Sequence, residues 1–162
     1  MPTDTLVLRH PTLQDGAALY ELVRDGGGLD RNSPYAYLLL ADRFSATSLV
    51  AEEAGGTAGF IAGLPLPEDP GTLFVWQIGV APSHRGRGLG RRMLVDLAQR
   101  SGARYLEASV TPSNTASRRL FRGFARELGV PCHESAWLEA GHFPAGEDHE
   151  PEDRFRIGPL PR

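Results

Sequence analysis

Hydrophobic and polar positions along the chain follow two periods, which predict a series of short strands and amphipathic helices. Continuous or alternating β-branched and aromatic runs indicate strands, and apolar residues at every third or fourth position indicate helices. The predicted strands cover residues 5–10, 48–54, 57–64, 72–80, 104–110 and 154–158. The predicted helices cover residues 12–25, 35–44, 88–100 and 114–124.

Glycine and proline separate these elements. The first helix begins near a Thr12 cap and ends at the glycine run 26–28, because glycine adopts the backbone angles that end a helix. The second and third strands meet at Gly55-Gly56, which predicts a β-hairpin. Residues 65–71, PLPEDPG, are predicted to form a loop.

The order of the elements predicts the fold class. It runs β-α-α-β-β-β-α-β-α-β, which is typical of an α/β domain with an antiparallel start and a strand–helix–strand crossover. The last 35 residues are rich in glycine, proline and acidic residues, and only RFRIG at 154–158 predicts a strand there.

Length and composition limit the classes of protein that fit. The 162 residues match one ordinary domain, so we expect a single domain over residues 1–162. Cys132 is the single cysteine, which excludes an internal disulfide. The N-terminal residues lack a basic head followed by a long apolar run, and no stretch approaches the roughly 18 apolar residues of a membrane span. We therefore expect a cytoplasmic location without a membrane partner.

The formal net charge of -3 conceals two oppositely charged segments. All 17 residues counted as Lys or Arg are arginine, and ten of them lie in residues 85–126 beside two acidic residues. Residues 127–153 hold eight acidic residues and no arginine. This distribution disfavours a nucleic-acid binder, but it allows an anionic ligand near the middle of the chain and a cationic one near its end.

The segment VAPSHRGRGLGRRM carries the strongest chemical signal. It joins the strand 72–80 to a helix through Gly86, Gly88 and Gly90. Glycines let a backbone approach a ligand closely, and the N–H groups at a helix start bind anions such as phosphates. The chain has no lysine, which excludes a P-loop, and GRGLGR lacks the spacing of a dinucleotide fingerprint. A flexible arginine-rich turn is the alternative.

The remaining pattern, Arg85-x-x-Gly88-x-Gly90 after Val80, resembles the acyl-CoA pyrophosphate loop of the GCN5-related N-acetyltransferase (GNAT) superfamily. The resemblance implies a single mixed, mainly antiparallel twisted sheet of six to seven strands flanked by about four helices. It also implies acetyl-CoA as co-substrate. The residues that it assigns to acetyl-CoA are Ile78, Val80, Arg85, Gly86, Arg87, Gly88, Leu89, Gly90, Arg91, Asn114 and Phe121.

Two of these residues lie in VTPSNTASRRLF. In the superfamily, an Asn at the start of this helix contacts the pantetheine arm, which assigns that contact to Asn114; capping of the helix is its other expected role. Members of the superfamily often place a Tyr seven residues further on, as general acid for the departing thiolate. Phe121 stands at that position here, so the resemblance assigns no acid.

A longer resemblance narrows the substrate. Residues 7–159, most specifically LDRNSPYAYLLL and TLFVWQ, are similar to the L-2,4-diaminobutyrate acetyltransferases of ectoine biosynthesis. This similarity implies transfer of acetyl from acetyl-CoA to the γ-amino group of L-2,4-diaminobutyrate, in osmolyte synthesis, by a homodimer. The alternatives are a GNAT enzyme for another small diamine or amino acid, and a non-catalytic acyl-CoA-binding sensor.

Candidate acceptor residues follow from the chemistry of that substrate, whose two amines and one carboxylate need anionic anchors and a cationic or amide donor. Asp30 is the candidate for an ammonium group, with capping of the helix 35–44 as its alternative role. Trp76 is a candidate wall of the site, with a core position as its alternative. The full set of predicted substrate-binding residues is Asp30, Asn32, Tyr35, Trp76, His149 and Glu150.

The expected mechanism is direct attack of the neutral γ-amine on the thioester in a ternary complex. We expect no acetyl-enzyme, because Cys132 lies outside every motif. A lysine-like amine has a pKa of about 10.4, so a proton must be removed, and Asp30, Glu150 and a water chain are the candidates. The expected oxyanion donor is a backbone amide near Val80, with Gly79 easing the local distortion. The spacing of Cys132 and the histidines fits no compact ligand set, so no metal is expected.

Overall fold

The computed structural model describes residues 5–27 and 29–162, which form seven β-strands and four α-helices. Residues 1–4 and Gly28, the last glycine of the predicted helix stop, lie outside the described residues. The strands are β1 (Val7–Arg9), β2 (Ser48–Glu53), β3 (Gly56–Leu66), β4 (Asp69–Val80), β5 (Tyr105–Val110), β6 (Cys132–Leu138) and β7 (Glu152–Ile157). The helices are α1 (Gly16–Gly26), α2 (Pro34–Arg43), α3 (Leu89–Ser101) and α4 (Thr115–Leu128).

The strands are hydrogen-bonded in the order β1-β2-β3-β4-β5-β7-β6. The pairs β1–β2, β2–β3, β5–β7 and β7–β6 are antiparallel, whereas β4 and β5 run parallel. Parallel neighbours need a crossover connection, and α3 supplies it here. The expectation of a mixed, mainly antiparallel sheet with about four helices is therefore confirmed.

The chain divides into two compact units. The first unit contains the residues up to Leu64 together with Trp76–Ser101, and the second contains Pro65–Val75 together with Gly102–Arg162. The expected single domain over residues 1–162 stays a prediction.

The core of the first unit lies where α1 and α2 pack on β2 and β3. Its members are apolar residues at helical spacing on α1 and α2 and at alternate positions of the strands. They are Leu19, Val23, Tyr37, Leu40, Ala41, Val50, Phe60 and Ala62. Helix α3 packs on β3 at Gly59, where a Cβ atom would lie 3.2 Å from Met93 and 3.3 Å from Leu89. Glycine there allows the close approach of helix and strand.

The β2–β3 hairpin turns one residue earlier than predicted. Ala54 and Gly55 occupy the turn with φ angles of 53° and 75°, and Glu53 pairs with Gly56 at the end of the ladder. A two-residue hairpin that matches the strand twist needs positive φ at both central residues. Gly56 is therefore the first residue of β3, and the prediction of a turn at Gly55-Gly56 is wrong by one position.

The predicted loop 65–71 is also wrong for most of its length. Strand β3 continues to Leu66 and β4 begins at Asp69, which leaves only Pro67 and Glu68 in the turn. The hydroxyl of Thr72 donates a hydrogen bond to Asp69 Oδ2 at 2.7 Å. Because prolines are tolerated at strand ends, the composition of this segment concealed the longer hairpin.

In the second unit, α4 buries Phe121, Phe124 and Ala125. Two other apolar residues of this helix are less buried: Ala116 is exposed, and Leu120 is only half-buried. Strand β6 was not predicted. Its interior residues are exposed on both faces, so the sequence shows none of the alternation that marks a half-buried strand.

Candidate functional site

The glycine-rich turn of the first unit follows β4 through a 3-10 turn, Pro82–His84, and leads into α3. Gly86 and Gly88 have φ angles of 75° and 72°, and a Cβ atom at either position would meet nothing within 4 Å. Backbone conformation, rather than crowding, is therefore what requires glycine at both positions. The open space in front of them is available to a ligand.

Helix α3 begins directly after these glycines. The N–H group of Arg92 donates to the carbonyl of Gly88 at 3.0 Å, which is the first bond of the helical ladder. The N–H groups of Leu89 and Gly90 precede that bond, so they have no acceptor within the helix. A helix start of this kind binds phosphate through its N–H groups and its dipole. The predicted acyl-CoA loop thus has the backbone geometry that an anion needs.

The arginines of the turn differ in their surroundings. Arg85 donates from Nη2 to the carbonyl of Gly26 at 2.7 Å and from Nε to the carbonyl of Val80 at 3.3 Å. The side chain of Arg87 is 61% exposed, and its Nη1 lies 3.6 Å from Glu53 Oε2. Arg91 is exposed on the first turn of α3. Arg85 therefore braces the turn, and Arg87 and Arg91 are exposed residues.

A histidine–carboxylate pair anchors the turn to the β2–β3 hairpin. His84 Nε2 lies 2.5 Å from Glu53 Oε2, and its Nδ1 lies 2.8 Å from the hydroxyl of Ser83. A cavity of about 70 Å³ beside this pair is lined by Leu6, Glu53, His84, Arg87, Leu89 and Arg92. Sequence analysis missed this anchor, because Glu53 and His84 are 31 residues apart.

The end of β4 packs tightly in the first unit. A Cβ atom on Gly79 would lie 2.6 Å from Phe60 and 2.8 Å from Leu22, so no larger residue fits without displacement. Ile78 and Val80 are half-buried, and the N–H group of Ala81 donates to the carbonyl of Ala58 at 2.8 Å. The oxyanion role of the Val80 amide stays a prediction.

Three predicted acceptor residues lie at the start of α2: Asp30 and Asn32 precede the helix, and Tyr35 is in its first turn. Ser33 caps α2, accepting a hydrogen bond from the N–H group of Ala36 at 3.3 Å, so the alternative role of Asp30 as the cap is wrong. Asp30 is exposed, and its backbone carbonyl accepts from Asn32 Nδ2 at 3.4 Å. The side chain of Tyr35 is 67% exposed. These side chains therefore lie at the surface of the first unit.

Trp76 packs against the aromatic core of the same unit. Its ring centroid lies 6.2 Å from that of Tyr37, and the residue is half-buried. The neighbouring Gln77 is buried, and its Nε2 donates to the backbone carbonyl of Asp30 at 2.8 Å. Sequence analysis missed Gln77, although one amide within the apolar run TLFVWQIGV signals a buried polar group that needs partners.

In the second unit, Asn114 caps α4. Its Oδ1 accepts from the N–H group of Ser117 at 3.1 Å, which confirms the capping role and leaves the pantetheine contact as a prediction. Phe121 is 4% exposed, and its ring lies 6.2 Å from that of Phe155. Phe121 is thus a core residue of this unit, and its contact with acetyl-CoA stays a prediction.

His149 and Glu150 are both held by local contacts. The His149 ring stacks on Phe143 at 3.7 Å with an interplanar angle of 11°. The carboxylate of Glu150 accepts from the N–H group of Ser113 at 3.2 Å and also from the Ser113 hydroxyl. Glu150 is therefore tied to the turn before α4, within the second unit, and its role with substrate stays a prediction.

The basic and acidic segments partly neutralise each other in the second unit. Arg118 lies 3.2 Å from Asp153, and Arg122 donates two hydrogen bonds to Glu134 at 2.8 and 2.6 Å. The Arg122 guanidinium holds the pKa of the Glu134 carboxyl below its usual value. These contacts give part of the acidic segment a structural role, which the local charge balance did not reveal.

Three remaining features are the Cys132 thiol, the arrangement of metal-ligating residues and the apolar length of the helices. Burial raises the pKa of the Cys132 thiol, with a smaller contribution from Glu134. Among residues 5–27 and 29–162, no group of three or more His, Cys, Asp or Glu residues is arranged to hold a metal ion. No helix in the described part of the chain is long and apolar enough to cross a membrane.

Comparison with known protein families agrees with the acyl-CoA loop expected at the glycine-rich turn. The profile of the Acetyltransferase (GNAT) family matches residues 17–125, a span that runs from α1 into α4 and includes the glycine-rich turn. The chain belongs to the acetyltransferase (GNAT) family. This confirms the resemblance to the GNAT superfamily that the pattern Arg85-x-x-Gly88-x-Gly90 indicates.

Two relatives that are similar over most of this chain are both named L-2,4-diaminobutyric acid acetyltransferase. The L-2,4-diaminobutyric acid acetyltransferase of Shouchella clausii (strain KSM-K16) is 45% identical, over 98% of this chain and 89% of that protein. The protein of the same name from Nocardia farcinica (strain IFM 10152) is 41% identical, over 96% and 81%. The longer resemblance, over residues 7–159, is confirmed as well.

Solved structures of acetyltransferases are similar to this chain in fold. Diaminobutyrate acetyltransferase EctA from Paenibacillus lautus, in complex with its substrate L-2,4-diaminobutyric acid and coenzyme A, matches with a TM-score of 0.93 and 45% identity. The match covers 99% of this chain and 98% of that one. The ribosomal-protein-S18-alanine N-acetyltransferase from Escherichia coli has a TM-score of 0.70 at 17% identity, which supports the fold alone.

Proposed function

We propose that this protein is an acetyl-CoA-dependent N-acetyltransferase that acetylates the γ-amino group of L-2,4-diaminobutyrate in ectoine biosynthesis. One observation carries the proposal: the match to EctA, whose structure contains L-2,4-diaminobutyric acid and coenzyme A, at 45% identity over 99% of this chain. At this level of similarity the relatives share nearly the whole fold, rather than a single loop.

The glycine-rich turn supports the acetyl-CoA half of the proposal. Gly86 and Gly88 leave open space in front of the helix start, and the N–H groups that follow suit a pyrophosphate. Arg87 of the turn and Arg91 on the first turn of α3 are exposed residues that supply positive charge. The other proposed acetyl-CoA residues of the first unit are Ile78 and Val80, at the end of β4, and Arg85, Leu89 and Gly90.

The surface residues of the first unit support the acceptor half. Diaminobutyrate carries two amines, and the exposed carboxylate of Asp30 suits an ammonium group. Asn32 and Tyr35 add an amide and a phenol, and Trp76 adds an aromatic face for a cation. His149 and Glu150 of the second unit are further proposed substrate residues.

The proposed reaction is direct attack of the neutral γ-amine on the thioester carbonyl. Asp30 or Glu150, or a water chain, accepts the ammonium proton, and the Val80 N–H group stabilises the developing oxyanion. The thiolate of coenzyme A leaves and is protonated. No acetyl-enzyme is proposed, because Cys132 lies outside every motif, and burial raises the pKa of its thiol.

The proposal includes a cytoplasmic homodimer, as implied by the resemblance to diaminobutyrate acetyltransferases. It is tested by thiol release from acetyl-CoA in the presence of a panel of diamines. We expect release with L-2,4-diaminobutyrate at a higher kcat/KM than with ornithine or a polyamine. Equal activity with ornithine would instead favour a less selective acetyltransferase, and acetyl-CoA binding without release would favour a sensor.

A further inference from the structure

A buried hydrogen-bonded pair links α2 to β4 in the first unit. Tyr37 is 0% exposed, and its hydroxyl donates to Gln77 Oε1 at 3.0 Å. Gln77 is 9% exposed, and its Nε2 donates to the backbone carbonyl of Asp30 at 2.8 Å. Both ends of the Gln77 amide are therefore used, one on Tyr37 and the other on the segment that precedes α2.

The ring of Tyr37 makes a second connection. It lies 6.2 Å from the ring of Trp76, and it is surrounded on other sides by Tyr20 at 6.1 Å and Phe60 at 6.4 Å. One side chain thus supports both proposed acceptor residues. Its ring supports Trp76 by packing, and its hydroxyl supports Asp30 through Gln77.

Packing alone does not require these two residue types. A Phe and a Met of similar volume would fill the same space, and a core without polar atoms needs no matched partners. A buried amide that both accepts and donates, in contrast, fixes the direction of its neighbours. Here the Gln77 amide fixes the orientation of the Asp30 backbone relative to β4.

We propose that Tyr37 and Gln77 are positioning residues that fix the Asp30 segment and thereby set the affinity and chain-length selectivity for the diamine. This inference rests on the proposed function. Neither residue touches substrate; each acts through Asp30. A fixed separation between Asp30 and Trp76 favours a diamine of one length, so loosening the segment weakens diaminobutyrate binding more than ornithine binding.

The test compares Tyr37→Phe and Gln77→Met with Tyr20→Phe as the matched control. Tyr37→Phe keeps the ring beside Trp76 and removes only the hydroxyl. Tyr20→Phe removes a phenol hydroxyl from the same aromatic cluster without touching Gln77. We expect Tyr37→Phe to raise the KM for diaminobutyrate about tenfold, the value of one lost directional hydrogen bond. Gln77→Met removes both hydrogen bonds of the amide and should raise this KM at least as much, and the KM for acetyl-CoA should be unchanged in both variants. The control should match the unmodified protein in both constants.

A second readout does not depend on activity. Hydrogen exchange of the backbone amides in residues 29–33 reports how firmly the segment is held. We expect faster exchange there in Tyr37→Phe and Gln77→Met, and unchanged exchange in Tyr20→Phe. Unchanged exchange in the first two variants would overturn the inference whatever substrate the enzyme uses. An equal rise in the KM for diaminobutyrate and in the KM for acetyl-CoA would also overturn it, since it would indicate general destabilisation. Faster exchange in an enzyme inactive on every diamine would refute the proposed function and the selectivity role, while confirming that the pair holds the segment.

Discussion

Arg85 Nη2 donates a hydrogen bond to the backbone carbonyl of Gly26 at 2.7 Å, which connects the glycine-rich turn to the end of α1. The superfamily resemblance assigns Arg85, Arg87 and Arg91 alike to acetyl-CoA. The structure distinguishes Arg85 from Arg87, because the Arg85 guanidinium donates to the backbone carbonyls of Gly26 and Val80, whereas Arg87 Nη1 lies 3.6 Å from the Glu53 carboxylate. The two arginines should therefore respond differently to substitution.

Arg85→Gln should lower the free energy of unfolding by about 1 kcal/mol, because it removes the brace between the turn and α1. Arg87→Gln should leave stability unchanged and raise the KM for acetyl-CoA several-fold, with the difference shrinking as salt is added. Urea unfolding measures the change in stability, and initial rates at two ionic strengths measure the change in the KM for acetyl-CoA. A destabilised Arg87→Gln with an unchanged KM would contradict this division of roles.

Gly88→Ala should weaken acetyl-CoA binding without altering the KM for the diamine. The φ angle of 72° makes any side chain strained there, by about 1 kcal/mol, and a methyl group would enter the space in front of the helix start. Gly102→Ala is the control, since Gly102 has a φ angle of 64° and equally open surroundings but follows α3. If both variants raise the KM for acetyl-CoA alike, the turn is not the phosphate site.

Asp30→Asn should raise the KM for diaminobutyrate at least tenfold, because an amide replaces the charge that attracts the ammonium group. The KM for acetyl-CoA should not change. The substitution leaves two local contacts in place, since Gln77 binds the backbone carbonyl of Asp30 and Ser33 caps α2. A parallel loss in both constants would make Asp30 a structural residue.

Cys132→Ser should retain full activity, and the Cys132 thiol should react slowly with a disulfide reagent at neutral pH. Burial raises the pKa of this thiol, so little thiolate is present. Mass spectrometry of the enzyme during turnover provides a direct check. An acetyl group on Cys132 would contradict direct transfer.

Stability should fall in acid partly through Asp15. Two hydrogen bonds from Arg9 at 2.8 Å hold the pKa of the Asp15 carboxyl below its ordinary value of 3.8. A carboxyl with a lowered folded-state pKa stabilises the protein above the unfolded-state pKa and loses that contribution as the pH falls through the folded-state value. Asp15→Asn should therefore be less stable than the unmodified protein at pH 6, and the difference should shrink as the pH falls below 3.8. A constant difference across this range would show that the charge is unimportant.

Most of the fold could be predicted from hydrophobic periodicity, and the exceptions have physical causes. Strand β6 has exposed residues along its interior, so its sequence lacks a period. The segment 65–71 contains prolines that suggest a loop, yet only Pro67 and Glu68 form the turn. The hairpin turns at Ala54-Gly55, one residue before the glycine pair, and its residue types do not predict the positive φ that Ala54 adopts.

The site was predictable where a local motif encodes it. The glycine-rich turn combines its glycines and its helix start in one short segment, so the sequence contains all of its parts. The contacts that hold it and the acceptor segment are distant along the chain: Glu53 with His84, and Tyr37 with Gln77. Residue spacing carries no signal for such pairs. Asn114 shows the same limit, because capping of α4 and a cofactor contact predict the same residue type.

The position of the acetyl group on the product tests the central claim most directly. Acetyl-CoA and L-2,4-diaminobutyrate are incubated with the enzyme, and the product is examined by NMR. The proposed function predicts one product, acetylated on the γ-nitrogen, formed together with one equivalent of free coenzyme A. Acetylation of the α-nitrogen, or no product while acetyl-CoA binds, would contradict it.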